Sequence, residues 1–356
     1  MGTLTASIEN DALWKHMESK ATEDGLHEYV AGVRKICEFG IGRAKTIRDT
    51  FPLYTLHDET HIRNVLGLMR ELLGDHVSQL TRDEAATLIL CACCHDVGMS
   101  YKDQEKNDLL EDLDRIDDYL ENRPGEYLRA YATNPDEPVL DDDMQRSFFR
   151  SIHHERVREL LCAEPWPKEL VGRVDRDVVV RVCQSHGNDV ATLSDLDRTP
   201  TIDLRMCAVL LRLSDILDFD DSRAPKAIYE YCDFASRTDK ESATSATEWQ
   251  KHLSSAAGFS FPPVAERDRP YDLTYSATCD NPQVEQGVRG YLDWVDDELR
   301  ECGRELGRFR GRWQDLALPQ KVVRNITSDG YESGTYRLAL DQDKVLDLLV
   351  GNNLYA

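Results

Sequence analysis

The chain has 356 residues, 41% of them hydrophobic and 31% charged, which is enough apolar material for a core and excludes a wholly disordered chain. It carries 43 Lys and Arg against 66 Asp and Glu, a formal charge of −23, which disfavours non-specific binding to nucleic-acid backbones or anionic membrane surfaces. No apolar run reaches 18 residues, so no membrane span is predicted.

Met1 to Asp11 lacks a basic start followed by an apolar stretch, so no secretory leader is read and the expected location is cytoplasmic. Residues 1–49 read as an N-terminal helical segment. From 62 to 73, Ile62, Val65, Leu66, Met69, Leu72 and Leu73 recur at spacings of three and four, an amphipathic helix. Thr81 followed by Glu84 is a capping-box signature, and the apolar run Ala85 to Cys94 behind it predicts a buried helix. Cys91, Cys93 and Cys94 belong to that run; with ten cysteines and no CxxC pair, reduced buried thiols are expected.

Between 101 and 143 the chain holds 15 Asp and Glu against 5 Lys and Arg, broken by Pro124, Gly125, Pro135 and Pro138. This predicts a surface insertion of short helices and loops, a solvated acidic face rather than a lid. Residues 204 to 217 repeat the buried-helix pattern. The Ser- and Thr-rich stretch 236 to 247 reads as a loop, and 257 to 282 as short alternating stretches. A long helix is predicted from about 283 to 315, with a seam of Val284, Val288, Leu292, Val295, Leu299, Cys302, Leu306, Phe309 and Trp313. The seam needs a partner helix, within the chain or across a homodimer. Residues 320 to 340 read as a hairpin around Asp329-Gly330 and Gly334, with Val322, Arg324 and Ile326 on one arm and Tyr336, Leu338 and Leu340 on the other. A short helix, Asp343 to Val350, closes the pattern. No internal repeat is visible.

Six of the ten histidines fall at informative places. His57 and His61 sit four apart before the amphipathic helix. His95-Asp96 closes the first buried run, His153-His154 follows Arg150, His186 follows the apolar run Val178 to Val182, and Asp215 lies inside the second buried helix. An ionised Asp in an apolar helix costs several kcal/mol unless it is paired or metal-bound. Two such carboxylates beside several histidines therefore invite a divalent metal, and imidazole with carboxylate suits Mn, Fe, Co, Ni or Zn, with Mg where carboxylates and water dominate. His16, His27, His76 and His252 read as ordinary surface or core histidines. Asp218, Asp220 and Asp221 read as a solvated helix end, the lesser alternative being support behind the metal ligands.

The ordered set His61, His95-Asp96, His153 or His154, His186, Asp215 resembles the HD superfamily of metal-dependent phosphohydrolases over roughly residues 50–225. The context Ala92-Cys-Cys-His-Asp-Val-Gly-Met is similar to that family's core. The resemblance implies a mainly α helical bundle with a small C-terminal α+β appendage over 226–356. It implies that His61, His95, Asp96 and Asp215 hold a first metal, and that His153 or His154 with His186 completes a second. Tyr54-x-x-His57-x-x-x-His61-x-x-x-Val65 also resembles the start of the cyclic nucleotide phosphodiesterases, which implies that His57 donates a proton to the leaving oxygen. At or just before a helix start and four residues ahead of His61, His57 can face the metal without ligating it.

The sequence departs from related groups. Met99-Ser100 stands where the deoxyguanosine triphosphate triphosphohydrolases carry a His-rich run, and no Gly-Tyr-Pro follows His186-Gly187-Asn188. Arg205-x-x-x-x-Leu210-Leu-Arg-Leu-Ser-Asp-Ile-Leu-Asp and the ending Leu348-Leu-Val-Gly-Asn-Asn-Leu-Tyr355 are similar to the HD module that precedes GHKL-type ATPase domains, although the ATPase boxes are absent. This implies an ATPase domain as partner in a longer protein. The expected function is hydrolysis of a phosphate ester or anhydride of a nucleotide or other phosphorylated small molecule, with two divalent ions, Asp96 and His57 at the chemistry, and Arg150 and Arg212 on the substrate. Arg150, Arg212 and Arg223 all suit phosphate, and each residue type is also a common salt-bridge partner. The alternative is a catalytically weak regulatory module that binds metal or nucleotide and controls the ATPase.

Overall fold

Apolar residues at helical spacing yield ten helices of ten or more residues among the described ones. In chain order these are α1 (Ala12–Glu23), α2 (His27–Ala44), α3 (Glu59–Leu73), α4 (Arg82–Cys94), α5 (Asp142–Ser151), α6 (His153–Ala163), α7 (Arg176–Ser185), α8 (Leu204–Leu217), α9 (Lys240–Leu253) and α10 (Pro282–Gly307). The structure is a computed structural model and describes residues 8–332 except 122, 136, 239, 309 and 310. The fold is mainly α, with one small sheet among the described residues.

The centre is built on α4 and α8. The capping box of α4 forms as the spacing predicts: Thr81 Oγ1 accepts from the Glu84 amide at 2.9 Å, and the Glu84 carboxylate accepts from the Thr81 amide at 3.0 Å. Every residue of α4 from Asp83 to Cys94 is buried, and α1, α2, α3, α7 and α8 all pack on it. The approach of α2 is close because Gly40 has no side chain; a Cβ there would lie 2.2 Å from the Cys93 carbonyl oxygen. In α8 only Asp215 escapes burial. Nine of the ten cysteines are buried free thiols and Cys162 is exposed.

The acidic stretch forms three short helices, Asp103–Leu110, Leu113–Leu120 and Pro124–Ala130. They are anchored where Ile116, Tyr119 and Leu120 bury, with the Tyr119 ring edge-on to Phe148 at 5.4 Å.

The stretch 236–247 departs from expectation. It runs into helix α9, because Trp249 at 1% exposure, with Ala246 and Leu253, seats the helix against Cys232 and Phe234. Its Ser and Thr residues hid a three-and-four apolar stripe. The long helix is shorter than its seam suggested. α10 ends at Gly307, Phe309 lies outside the described residues, and Trp313 is buried in a turn beyond the helix. The seam from Val284 to Leu306 is buried, and α10 packs on α8, α9 and the sheet, so its partners are intramolecular.

The sheet has the order β1 (Phe259–Ser260), β2 (Tyr271–Cys279), β3 (Pro319–Ser328). β1 pairs antiparallel with β2, and β3 pairs parallel with β2 through the α10 crossover that a parallel pair requires. The expected hairpin arm Val322 to Ile326 is thus part of a strand whose described partner is β2. Its second arm, the final helix and the Leu348 to Tyr355 junction lie outside the described residues.

Candidate metal centre

Helix ends carry most of the candidate ligands to one place. His61 is in the first turn of α3, His95 and His186 cap the C-termini of α4 and α7, His153 opens α6, and Asp215 lies in the last turn of α8. The last carbonyls of a helix have no intrahelical partner, and the histidines use them. His95 Nδ1 meets the Ala92 carbonyl at 3.1 Å, His153 Nδ1 meets that of Arg150 at 2.5 Å, and His186 Nδ1 meets that of Cys183. His61 Nδ1 faces the Asp218 carboxylate at 2.6 Å. In the tautomers these contacts assign, each Nδ1–H is spent outward and each Nε2 lone pair points inward.

The inward nitrogens meet in pairs. His61 Nε2 and His95 Nε2 are 3.1 Å apart, and His153 Nε2 and His186 Nε2 are 2.9 Å apart. Two lone pairs at that distance repel unless a cation or proton lies between them. Asp96 serves both pairs. Its Oδ2 stands 3.5 Å from His61 Nε2 and 3.3 Å from His95 Nε2, and its Oδ1 stands 3.5 Å from His153 Nε2 and 3.9 Å from His186 Nε2. Asp215 Oδ1 joins the first group at 3.2 Å from His61 and 3.7 Å from His95. Donors about 2.1 Å from one ion stand roughly 3.0–3.4 Å from one another, so both groups have the spacing and chemistry of metal ligands. The groups His61, His95, Asp96 and Asp96, His153, His186 can each hold an ion. Asp96 Oδ2 is buried without a hydrogen-bond partner, an acceptor that a cation would satisfy.

Close packing fixes this register. A Cβ on Gly98 would fall 1.8 Å from the His153 carbonyl oxygen, so only glycine lets the His95-Asp96 turn reach α6. Arg156 Nη1 clamps the same turn through the carbonyls of Gly98 (2.5 Å) and Ser100 (3.1 Å).

Protonation follows the geometry. Burial and Arg223 pull the His61 imidazole down, but the facing carboxylates of Asp215, Asp218 and Asp96 outweigh them and lift it to about 9. His95 is likewise raised against burial by Asp96 and Asp215. Burial works to raise both the Asp96 and Asp215 carboxyls, yet His95 and His61 hold each well below the usual range. Protons here do what a cation would do. In the second group burial dominates: it depresses His153, and together with His153 and His95 it pushes His186 down to about 4, leaving neutral imidazoles.

Four expected residues are placed differently from the ligand cluster. His154 turns away from it and packs on Gly187, where a Cβ would lie 2.4 Å from the imidazole Cγ, so His153 rather than His154 meets Asp96 and His186. His57 precedes the helix; the N-cap is Asp58, whose Oδ1 accepts from the Thr60 amide at 2.8 Å. His57 Nδ1 donates to the Thr55 carbonyl at 2.7 Å and its Nε2 accepts from Arg223 at 3.1 Å. Burial, then Arg223, keeps that ring neutral. Arg212 is committed to structure: it forks onto Glu298 at 2.6 and 2.8 Å and holds the carbonyls of Ser185, His186 and Asn188. Arg150 carries no ion pair among the described residues and lies over the Tyr54 ring at 5.4 Å.

One acidic residue departs from the solvated helix end expected of it. Asp218 is not a solvated helix end. It is 4% exposed and also accepts from Asn64 at 2.8 Å and Arg223 at 3.2 Å, so it orients His61 as carboxylates do behind metal-bound histidines. Its place three residues after Asp215, one helical turn on, was the available signal. His252, read as an ordinary surface or core histidine, is buried, with its ring tilted against Phe219 at 4.5 Å. His153, Asp96 and Asp215 open onto a cavity of about 410 Å³, walled also by His57, Arg150, Arg223 and, from α9 and α10, Glu248, His252, Tyr291 and Trp294.

No helix among the described residues is long and apolar enough to cross a membrane. No curated protein and no solved structure matches the chain. The HD-CE family model matches residues 51–301, well over half of the sequence and all of the His and Asp cluster, and the chain belongs to the HD-CE family.

Proposed function

We propose that the protein is a metal-dependent phosphohydrolase that cleaves a phosphate ester or anhydride, with a nucleotide as substrate, by activating water. The observation that carries the reading is Asp96, whose two oxygens each belong to a different donor group, as a carboxylate shared by two ions requires. Bound divalent ions would polarise phosphoryl oxygens and lower the pKa of a water towards neutrality. His61, His95, Asp96 and Asp215 would hold one ion, and Asp96, His153 and His186 the other. His/carboxylate donors suit Mn, Fe, Co, Ni or Zn better than Mg.

The remaining work falls to the cavity wall. Arg150, the cation without an ion pair among the described residues, orients the phosphate by charge. Arg223 is shared between Asp218 and His57. An incoming phosphate that draws Arg223 away would free the His57 Nε2 lone pair to take a proton from the attacking water and pass it to the departing oxygen, so that the ring ends neutral as it began.

Purified protein loaded with Mn²⁺ should release phosphate or a nucleoside monophosphate from a nucleotide panel and lose that activity in chelator. Binding of metal and nucleotide without any turnover would overturn hydrolysis and fit instead a regulatory module acting on an ATPase domain.

A further inference from the structure

The cavity is far larger than two ions need. Its volume of about 410 Å³ lies in the range of sites for small organic ligands. Its lining is of two kinds. Asp96, Asp215, His153 and Arg150 supply charge and metal-binding groups, and Phe219, Tyr291 and Trp294 supply aromatic rings.

These rings form a fixed stack. Tyr291 lies on Phe219 with centroids 4.0 Å apart, and Trp294 stands edge-on to Tyr291 at 5.4 Å. Tyr291 Oη donates to the Ile216 carbonyl at 2.6 Å, one residue from Asp215. The orientation of Trp294 is therefore tied to the helix that carries a candidate ligand. Trp294 is nevertheless 44% exposed, although it lines the cavity and its neighbour Val295 on the α10 seam is fully buried. A part-exposed indole in the lining of a cavity that also holds Arg150 and the candidate ligands suits a ligand that carries both an anionic group and a flat ring.

We infer that the Trp294 wall of this cavity is a ring-binding subsite, which selects phosphate compounds bearing a planar heteroaromatic group over aliphatic phosphates. The inference rests on the phosphohydrolase reading for its turnover readout and deepens it by assigning specificity to a residue outside the ligand cluster. A single nucleotide fits better than a nucleic-acid strand, since the charge of −23 repels a polyanion. Trp294 is a specificity residue here and touches no reacting atom.

The test uses the full chain as wild type, Trp294→Ala and Trp294→Phe, with Mn²⁺. Dissociation constants for the four common nucleoside monophosphates are measured by calorimetry, and kcat/KM is compared between those nucleotides and glycerol phosphate. Removing a stacking face weakens binding roughly 5- to 150-fold. Trp294→Ala should therefore raise the nucleotide Kd and KM by that factor, with kcat and metal content held, and the preference for nucleotide over glycerol phosphate should fall in proportion. Trp294→Phe should recover most of it. An unchanged Kd in Trp294→Ala, an equal loss on glycerol phosphate, or wild type that binds no nucleotide overturns the subsite. Wild type that binds nucleotides through Trp294 but turns none over leaves the subsite standing and overturns hydrolysis alone.

Discussion

Asp218 Oδ2 lies 2.6 Å from His61 Nδ1, and both side chains are about 1% exposed. That contact decides which nitrogen of His61 faces the candidate metal centre. With Nδ1–H given to Asp218, Nε2 is the nitrogen turned towards His95, Asp96 and Asp215, where it holds a proton that a metal ion would replace.

Replacing Asp218 should therefore weaken metal binding although Asp218 touches no metal. Asp218→Ala is expected to lower affinity roughly 10- to 100-fold. A Mn²⁺ titration of the chelated protein reads this directly, with circular dichroism showing that the fold is kept. Affinity equal to wild type in a folded variant would deny Asp218 a positioning role.

The two donor groups share only Asp96, so variants in the second group should remove one ion. His186→Ala is expected to bind about one equivalent of metal where wild type binds about two. His154→Ala should keep both, because its ring packs on Gly187 instead of joining Asp96. Elemental analysis of protein loaded with excess Mn²⁺ distinguishes them, and loss of an ion in His154→Ala would reverse the assignment.

His57 and Asp58 should separate rate from stability. Asp58 caps α3, so Asp58→Ala should cost about 0.5–2 kcal/mol of folding stability. His57→Ala should keep its metal and lose about 10²–10⁴-fold in rate on a substrate with a poor leaving group. The loss should shrink on a p-nitrophenyl ester, whose leaving group needs little protonation. Equal losses on both esters, with metal retained, would remove His57 from proton transfer.

The metal-free protein should be most stable near pH 6.5, the ordinary histidine value. His61 is raised to about 9 and His95 upward, so their contribution is full below about 6.5 and is lost as pH rises through about 9. Burial holds His154 and His186 down to about 4 and His252 to about 3, so the unfolded chain takes up those protons first and stability falls as pH drops from about 6.5. Saturating Mn²⁺ replaces the protons on His61 and His95 and should abolish the alkaline loss. Urea midpoints in chelator from about pH 5 to 9 test this; a midpoint rising continuously across that range would contradict it.

Much of this architecture is legible in the sequence where one local rule suffices. The capping box and the unbroken apolar run of α4 specify a buried helix, and Asp96 at its end is conspicuous because a carboxylate there needs a partner. The order of His61, His95, Asp96, His153, His186 and Asp215 along the chain carries the family. Other features depend on contacts that no local pattern encodes. His153 and His154 are neighbours, and only the close approach at Gly98 and Gly187 decides between them. Arg212 looks like a phosphate ligand until Glu298, 86 residues away, claims it. α9 was hidden because Ser and Thr are weak helix formers, while the burial of Trp249 outweighs their propensity.

The most direct test compares metal content and nucleotide hydrolysis in wild type and Asp96→Asn, purified in parallel and loaded with Mn²⁺. Asp96 is the one side chain common to both donor groups. Wild type is expected to hold about two ions and turn over a nucleotide, and Asp96→Asn, still folded, to lose metal from both positions together with all turnover. A folded Asp96→Asn that keeps its ions and hydrolyses at the wild-type rate would contradict the account.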